Sequence, residues 1–165
     1  MINRSTITPS TIRALSWKQP YGLLMLHGKI ETRTWNTTYQ GLVLLCASQK
    51  EYSPGAVELI SGEFQYSRII KILEEQYFSK IAKSRIREKK LQTQVFHSGQ
   101  AFAVGRLIYS RPMFKSDEDK AFVRHYPNLY CHIYTDVTPI KPFPFKGVLG
   151  WKSVTQEQID RIEFL

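Results

Sequence analysis

The sequence predicts an α+β fold in which a small β-barrel is flanked by helices. Three observations carry that expectation. Strand-like segments are separated by helical ones of very different lengths, unlike the regular alternation of a parallel α/β sheet. Gly and Pro bends interrupt the apolar segments, and curved strands are what a small barrel needs to close. The chain is rich in β-forming aromatics, with nine Tyr and nine Phe in 165 residues. That length suits a single domain, 1–165, which buries about 70% of its unfolded surface and forms one core without disulfides.

The elements follow in order. "ALSW" reads as a short strand. Pro20 fits the first turn of a helix, where a missing N–H costs nothing, and "YGLLMLHG" then runs to a stop at Gly28. This predicts a short buried helix at about 20–27. In "KIETRTW", Lys29, Glu31, Arg33 and Trp35 alternate with Ile30, Thr32 and Thr34, the period of a strand. "NTTYQG" forms a turn, and "GLVLLCAS" is a continuous apolar run of buried-strand length. "SPGAVELISGEF" reads as turn, short helix and turn. Beyond it, Ile69, Ile72, Leu73, Tyr77 and Ile81 recur at helical spacing with no Gly or Pro between 66 and 91. A helical elaboration, one helix or two, therefore occupies about 55–91. "QAFAVGRLIYSRPM" is a strong strand near 101–110, and "SDEDKAFVRHYPN" a loop with one helical turn. "LYCHIYTDVTPI" is again rich in β-formers. The prolines and glycines of "KPFPFKGVLGWKSV" suit loops and edge strands, and "TQEQIDRIEFL" a last helical turn.

Charge narrows the partners. Lys and Arg number 23 against 14 Asp and Glu, a net charge of +9. A basic domain favours polyanions, nucleic acid first, although net charge also serves solubility. Eight basic residues against three acidic ones lie between Arg68 and Lys90, densest in "KSRIREKK". Cys46 and Cys131 are far apart and form no metal-ligand spacing with His27, His97, His125 or His132. No metal site is expected. Phosphate loops, dinucleotide fingerprints and a Ser-His-Asp order are absent, so no cofactor is called for. "MINRSTITPSTIR" lacks the apolar stretch of a signal peptide, and no apolar run approaches the ~20 residues of a membrane span. The expectation is a cytoplasmic protein with no membrane partner.

Two stretches carry candidate chemistry. On a strand, the Cβ atoms of Lys29, Glu31 and Arg33 stand about 6.5–7 Å apart on one face. Lys29 and Arg33 would hold Glu31 ionised and lower its pKa. Arg33 suits bidentate capture of phosphate or carboxylate, and Trp35 suits stacking on a base. The alternative is a solvated strand face whose ion pairs are worth about 0–1 kcal/mol. In "SWKQP", Trp17, Lys18 and Gln19 precede a helix N-terminus, where anions and polar base edges are favoured. Trp17 as core and Gln19 as a helix cap are the competing roles. "KGVLGW" adds Gly147, Gly150 and Trp151, with room for close approach to a ligand.

Four segments, in order, resemble the ASCH domain of the PUA-like superfamily. "LSWKQPYGLLMLHGK" is similar to its opening Ser-x-x-Gln-Pro-aromatic helix. "IETRTWNTTYQGLVLLCAS" resembles its Glu-x-Arg-x-Trp strand, turn and buried strand, "AFAVGRLIYS" the next barrel strand, and "FPFKGVLGWKSV" the closing Gly-x-x-Gly-aromatic element. The resemblance implies a small PUA-like β-barrel with a cleft beside the Glu31-x-Arg33-x-Trp35 strand. It further implies binding of RNA, more than DNA, or of a modified nucleoside. Arg33 and Lys29 would contact phosphate or a base edge, and Trp35, Tyr39 or Trp151 would stack. Some small relatives of that family are amidohydrolases acting on acetylated cytidine, and others have been proposed as ribonucleases. Here the usual lysine position, three before the strand's key residue, is Gly28, Lys29 lies two before, and Glu31 fills the position of the amidohydrolase threonine. The leading expectation is therefore a nucleic-acid or nucleoside binder. A hydrolase with Glu31 as general base and Lys29 or Arg33 as oxyanion stabiliser is the second, and a protein-interaction domain docking through the helical elaboration the third.

Overall fold

The structure, a computed structural model, describes residues 1–78 and 95–165. Among the described residues, six strands form one curled half-barrel sheet: β1 (Ile12–Trp17), β2 (Glu31–Arg33), β3 (Gly41–Ala47), β4 (Gln100–Pro112), β5 (Tyr130–Pro144) and β6 (Lys152–Ser153), in the order β2-β5-β4-β3-β1-β6. β1 and β3 pair in parallel, and every other neighbour is antiparallel. The fold is thus α+β and barrel-like, as the spacing of its elements predicts.

Period-two burial explains the sheet. Ile12 and Ala14 of β1 and Leu42, Leu44 and Cys46 of β3 share one core with Val104, Ile140, Phe143, Ile159 and Ile162. Their neighbours Leu15, Trp17, Val43, Leu45 and Ala47 face the opposite core with Phe102, Ala103, Leu107 and Met25. β3 is buried on both faces, so it shows a continuous apolar run with no alternation. Register shifts at three points along β4–β5 and one along β3–β4 bend the sheet, because each extra residue tightens the local twist.

A third cluster gathers the helices: α1 (Tyr21–Leu24), α2 (Pro54–Ser61) and α3 (Glu63–Leu73) pack with Met113, Phe122 and Cys131. α1 continues as a 3-10 turn, Met25–His27, and stops at Gly28, whose φ of 78° only glycine adopts without strain. Ser53 caps α2 through its hydroxyl, and Thr155 with Gln158 forms a capping box at α5 (Gln156–Asp160). A short α4 (Glu118–Ala121) fills the loop between β4 and β5. α3 runs into a π turn at Glu74–Phe78. The rest of the helical elaboration, with its densest basic run, lies outside the described residues.

One local expectation changes. β2 is only three residues long, and Lys29 and Trp35 flank it rather than belong to it. Of the segment expected to form loops and edge strands, residues 141–144 continue β5 as an edge strand. β2 pairs only with residues 130–132, so beyond them β4 is, among the described residues, the one sheet strand beside β5 and the other side is an edge, where strands tolerate proline. The C-terminal tail covers part of that edge: Lys141 N donates to Glu163 O and Leu165 N to Pro139 O.

Among the described residues, no helix is long and apolar enough to cross a membrane.

Candidate functional site

β2 sits at one end of the sheet order and β1 near the other, yet the curl brings them together. Arg33 Nη2 donates to the Ser16 carbonyl at 2.9 Å, and its guanidinium lies 5.1 Å from the Trp17 ring. Between them opens a cleft of about 780 Å³. Lys29, Glu31, Arg33 and Trp35 form one wall, Trp17 and Lys18 another, Tyr21 and Tyr52 a third, and the loop 146–150 the rim.

The alternating row is not a wet strand surface. Side-chain exposure is 2% at Lys29, 6% at Glu31 and 20% at Arg33. Lys29 Nζ donates to Glu31 Oε2 at 3.0 Å and to the Ile30 carbonyl at 2.8 Å. On the other side, Arg33 Nε lies 2.8 Å from Glu31 Oε1. That contact is an ion pair and not a formed hydrogen bond, because the Nε–H is not aimed at the oxygen. Burial alone would push the Glu31 carboxyl up, but the charges of Lys29 and Arg33 and the Lys29 hydrogen bond outweigh it and hold it below the usual range. Burial lowers the Lys29 amine, with Glu31 opposing.

Across the strand pair, Glu31 faces His132, which is fully buried. His132 Nε2 lies 3.0 Å from the Trp35 carbonyl, which only accepts, so Nε2 carries the hydrogen and Nδ1 of the neutral ring is bare. Burial pushes the imidazole pKa down, keeping it neutral, although the Trp35 carbonyl and Glu31 pull the other way. Tyr134 stands edge-on to Trp17 at 6.0 Å, and burial drives its phenol far up.

Unmet polar capacity concentrates here. Trp17 Nε1, Arg33 Nε, His132 Nδ1 and Tyr134 Oη are buried without a formed hydrogen bond. Trp17 Nε1 is nonetheless near enough to Glu31 to help keep the carboxylate charged. Cores normally satisfy such groups, so their collection around one carboxylate distinguishes this place from ordinary packing.

The sequence candidates separate into three groups. Lys29, Glu31, Arg33, Trp35, Trp17 and Lys18 meet in the cleft. Tyr39 and Trp151 stand behind it: Trp151 packs edge-on to Trp35 at 5.8 Å and lies 5.0 Å from Tyr39. Trp151 braces Trp35, and Tyr39 backs Trp151. Gln19 is fully buried, with Oε1 accepting from Leu23 N and Nε2 donating to Phe96 O, both at 2.9 Å. It caps α1 and does not line the cleft. Arg68 of the basic segment is turned to the protein, donating to the Asp119 carbonyl and lying over Phe122.

Tyr21, Tyr52, His132 and Tyr134 were not picked out by sequence. For the last pair a signal existed, because "HIY" places both on one face of a strand at period two. Among the described residues, no group of three His, Cys, Asp or Glu is placed to hold a metal. Fold and site together define a small α+β protein whose curled sheet frames a cationic, aromatic-walled cleft. No protein-family model matches the chain, and no curated protein matches it.

Proposed function

We propose that the chain is a PUA-like domain of the ASCH kind whose cleft takes a single base, either of RNA or of a modified nucleoside. The observation that carries this reading is the buried Lys29–Glu31–Arg33 triad inside an aromatic-walled cleft. The cleft's volume falls within the ~300–1,000 Å³ typical of small-ligand sites. Glu31 offers an acceptor for exocyclic amines, and the two cations offer donors to ring carbonyls. Trp35 and Tyr52 are partly exposed on the walls and suit stacking on a base. Lys18 and Lys146 stand exposed at the mouth, where a phosphate would sit.

Binding is favoured over hydrolysis. A general base works best with a pKa near ambient pH, and Glu31 is held low with both oxygens facing cations.

The test follows the fluorescence of Trp17, Trp35 and Trp151, all in or beside the cleft, during titration with nucleosides, nucleotides and short single-stranded RNA. A saturable change is expected. Arg33→Ala should weaken it at least tenfold, while Lys141→Ala, on the far surface, leaves it intact. RNA affinity should fall with salt at a log–log slope of about −0.7 per phosphate contact. No saturable response at low salt, or equal losses in the two variants, would sink the proposal.

A further inference from the structure

The rim of the cleft carries an apolar tip that packing does not explain. Leu149 is fully exposed and Val148 about half exposed, yet both line the cleft mouth. The tip is held from both sides. On its N-terminal side Phe145 is buried and its N–H donates to Gly99 O at 3.0 Å. Gly147 lies so close to β1 that an added Cβ would come within 1.9 Å of Ser16 Oγ. Lys152 Nζ donates to the Lys146 carbonyl. On its C-terminal side Gly150, at φ 74°, turns the chain back to Trp151, which is locked between Trp35 and Tyr39. Residues 147–150 therefore form a braced finger with an aliphatic point.

We propose that Leu149 is a wedge that enters a base stack while the cleft holds the base drawn out of it, so that the substrate is a paired nucleic acid with one extruded base. This rests on the reading of the cleft as a base site. A free nucleoside or an unstacked strand leaves no gap beside the cleft, and a fully exposed leucine gains nothing from either. Drawing one base from a duplex opens an apolar slot one step wide, and aliphatic side chains fill such slots in proteins that unstack nucleic acid. Lys18 and Lys146 flank the mouth with positive charge, as the adjoining phosphates require. A mismatched or bulged base is the cheapest to extrude and is the preferred target.

The experiment compares three ligands with the native chain and Leu149→Ala: an RNA hairpin with a single bulged 2-aminopurine, the same hairpin fully paired, and a mononucleotide. Leu149 is exposed, so its truncation leaves the fold intact. The native chain should prefer the bulged hairpin about tenfold and raise its 2-aminopurine emission as the base unstacks. Leu149→Ala should lose that preference and that emission while binding the mononucleotide unchanged. A variant that keeps both, with mononucleotide binding intact, overturns the wedge and leaves the base site standing. Tighter binding of an unstructured strand than of the bulged hairpin also overturns it. No binding of any of the three ligands by the native chain overturns the base site and the wedge with it.

Discussion

Removing one charge from the buried triad should unbalance the other two. Glu31→Gln keeps the shape and one acceptor but leaves the ammonium of Lys29 and the guanidinium of Arg33 facing each other without a counter-ion. Breaking a buried pair in this way costs about 3–5 kcal/mol, a large part of a ~5–15 kcal/mol stability. The penalty has a ceiling, because Lys29 is free to release its proton. For an ordinary lysine amine that release costs about 4.6 kcal/mol at pH 7 and about 1.2 at pH 9.5. In the variant, folded Lys29 binds fewer protons than unfolded Lys29, so stability rises with pH toward the unfolded pKa. Urea denaturation at both pH values should therefore show a deficit of about 3–4 kcal/mol at pH 7 that shrinks by at least ~2 at pH 9.5. The double variant Lys29→Met/Glu31→Gln should recover more than half of the loss at pH 7. A deficit below ~1 kcal/mol, the range of a solvated pair, would refute the buried triad. A deficit independent of pH would assign the loss to packing and not to charge.

Two further outcomes test other parts of the molecule. Asp117 accepts two bonds from Arg111, at 2.7 and 2.8 Å, and one from Phe114 N at 2.8 Å, and the Arg111 bonds lead in holding its pKa at about 2. Its folded pKa lies below its unfolded value, so this stability is present above about pH 4 and is lost as pH falls toward 2. Acid titration of unfolding should lose on the order of 2 kcal/mol across that window relative to Asp117→Asn, and parallel curves would remove the claim. Gly147→Ala should weaken binding of the bulged hairpin with little change in Tm, because the new Cβ meets Ser16 Oγ and shifts the finger; adding Ser16→Ala should restore part of it. Native hairpin affinity in the single variant would show that the finger plays no part.

What the sequence revealed follows from which interactions are local. The helix stop at Gly28, the buried run of β3 and the last helical turn after Thr155 are signalled by adjacent residues, and they stand where those residues put them. The alternation of Lys29, Glu31 and Arg33 was visible, and so was its effect on the carboxyl of Glu31. Its burial was not, because what covers the row is Trp17, Tyr21 and His132, separated in sequence and joined only by curl and register. Gln19 shows the converse. Its place before a helix suits both a ligand and a cap; Leu23 N makes the cap, and the Phe96 carbonyl, 77 residues away, holds the amide inside the protein. The prolines of β5 fit the edge strand that their segment suits, since a strand in mid-sheet becomes an edge once its neighbour ends after three residues.

The bond from Arg33 to the Ser16 carbonyl joins the first strand of the sheet to the fifth across an unclosed barrel. It is a stitch over a seam, and the cleft is the part of the seam left open. A flat sheet would have both strands and every residue of the wall, yet no site, because the wall exists only as a relation between distant margins. Anything that fills the opening therefore also reports on the curvature of the whole sheet. Pulling on Arg33 from within the cleft is pulling on the stitch that sets how tightly the sheet is rolled.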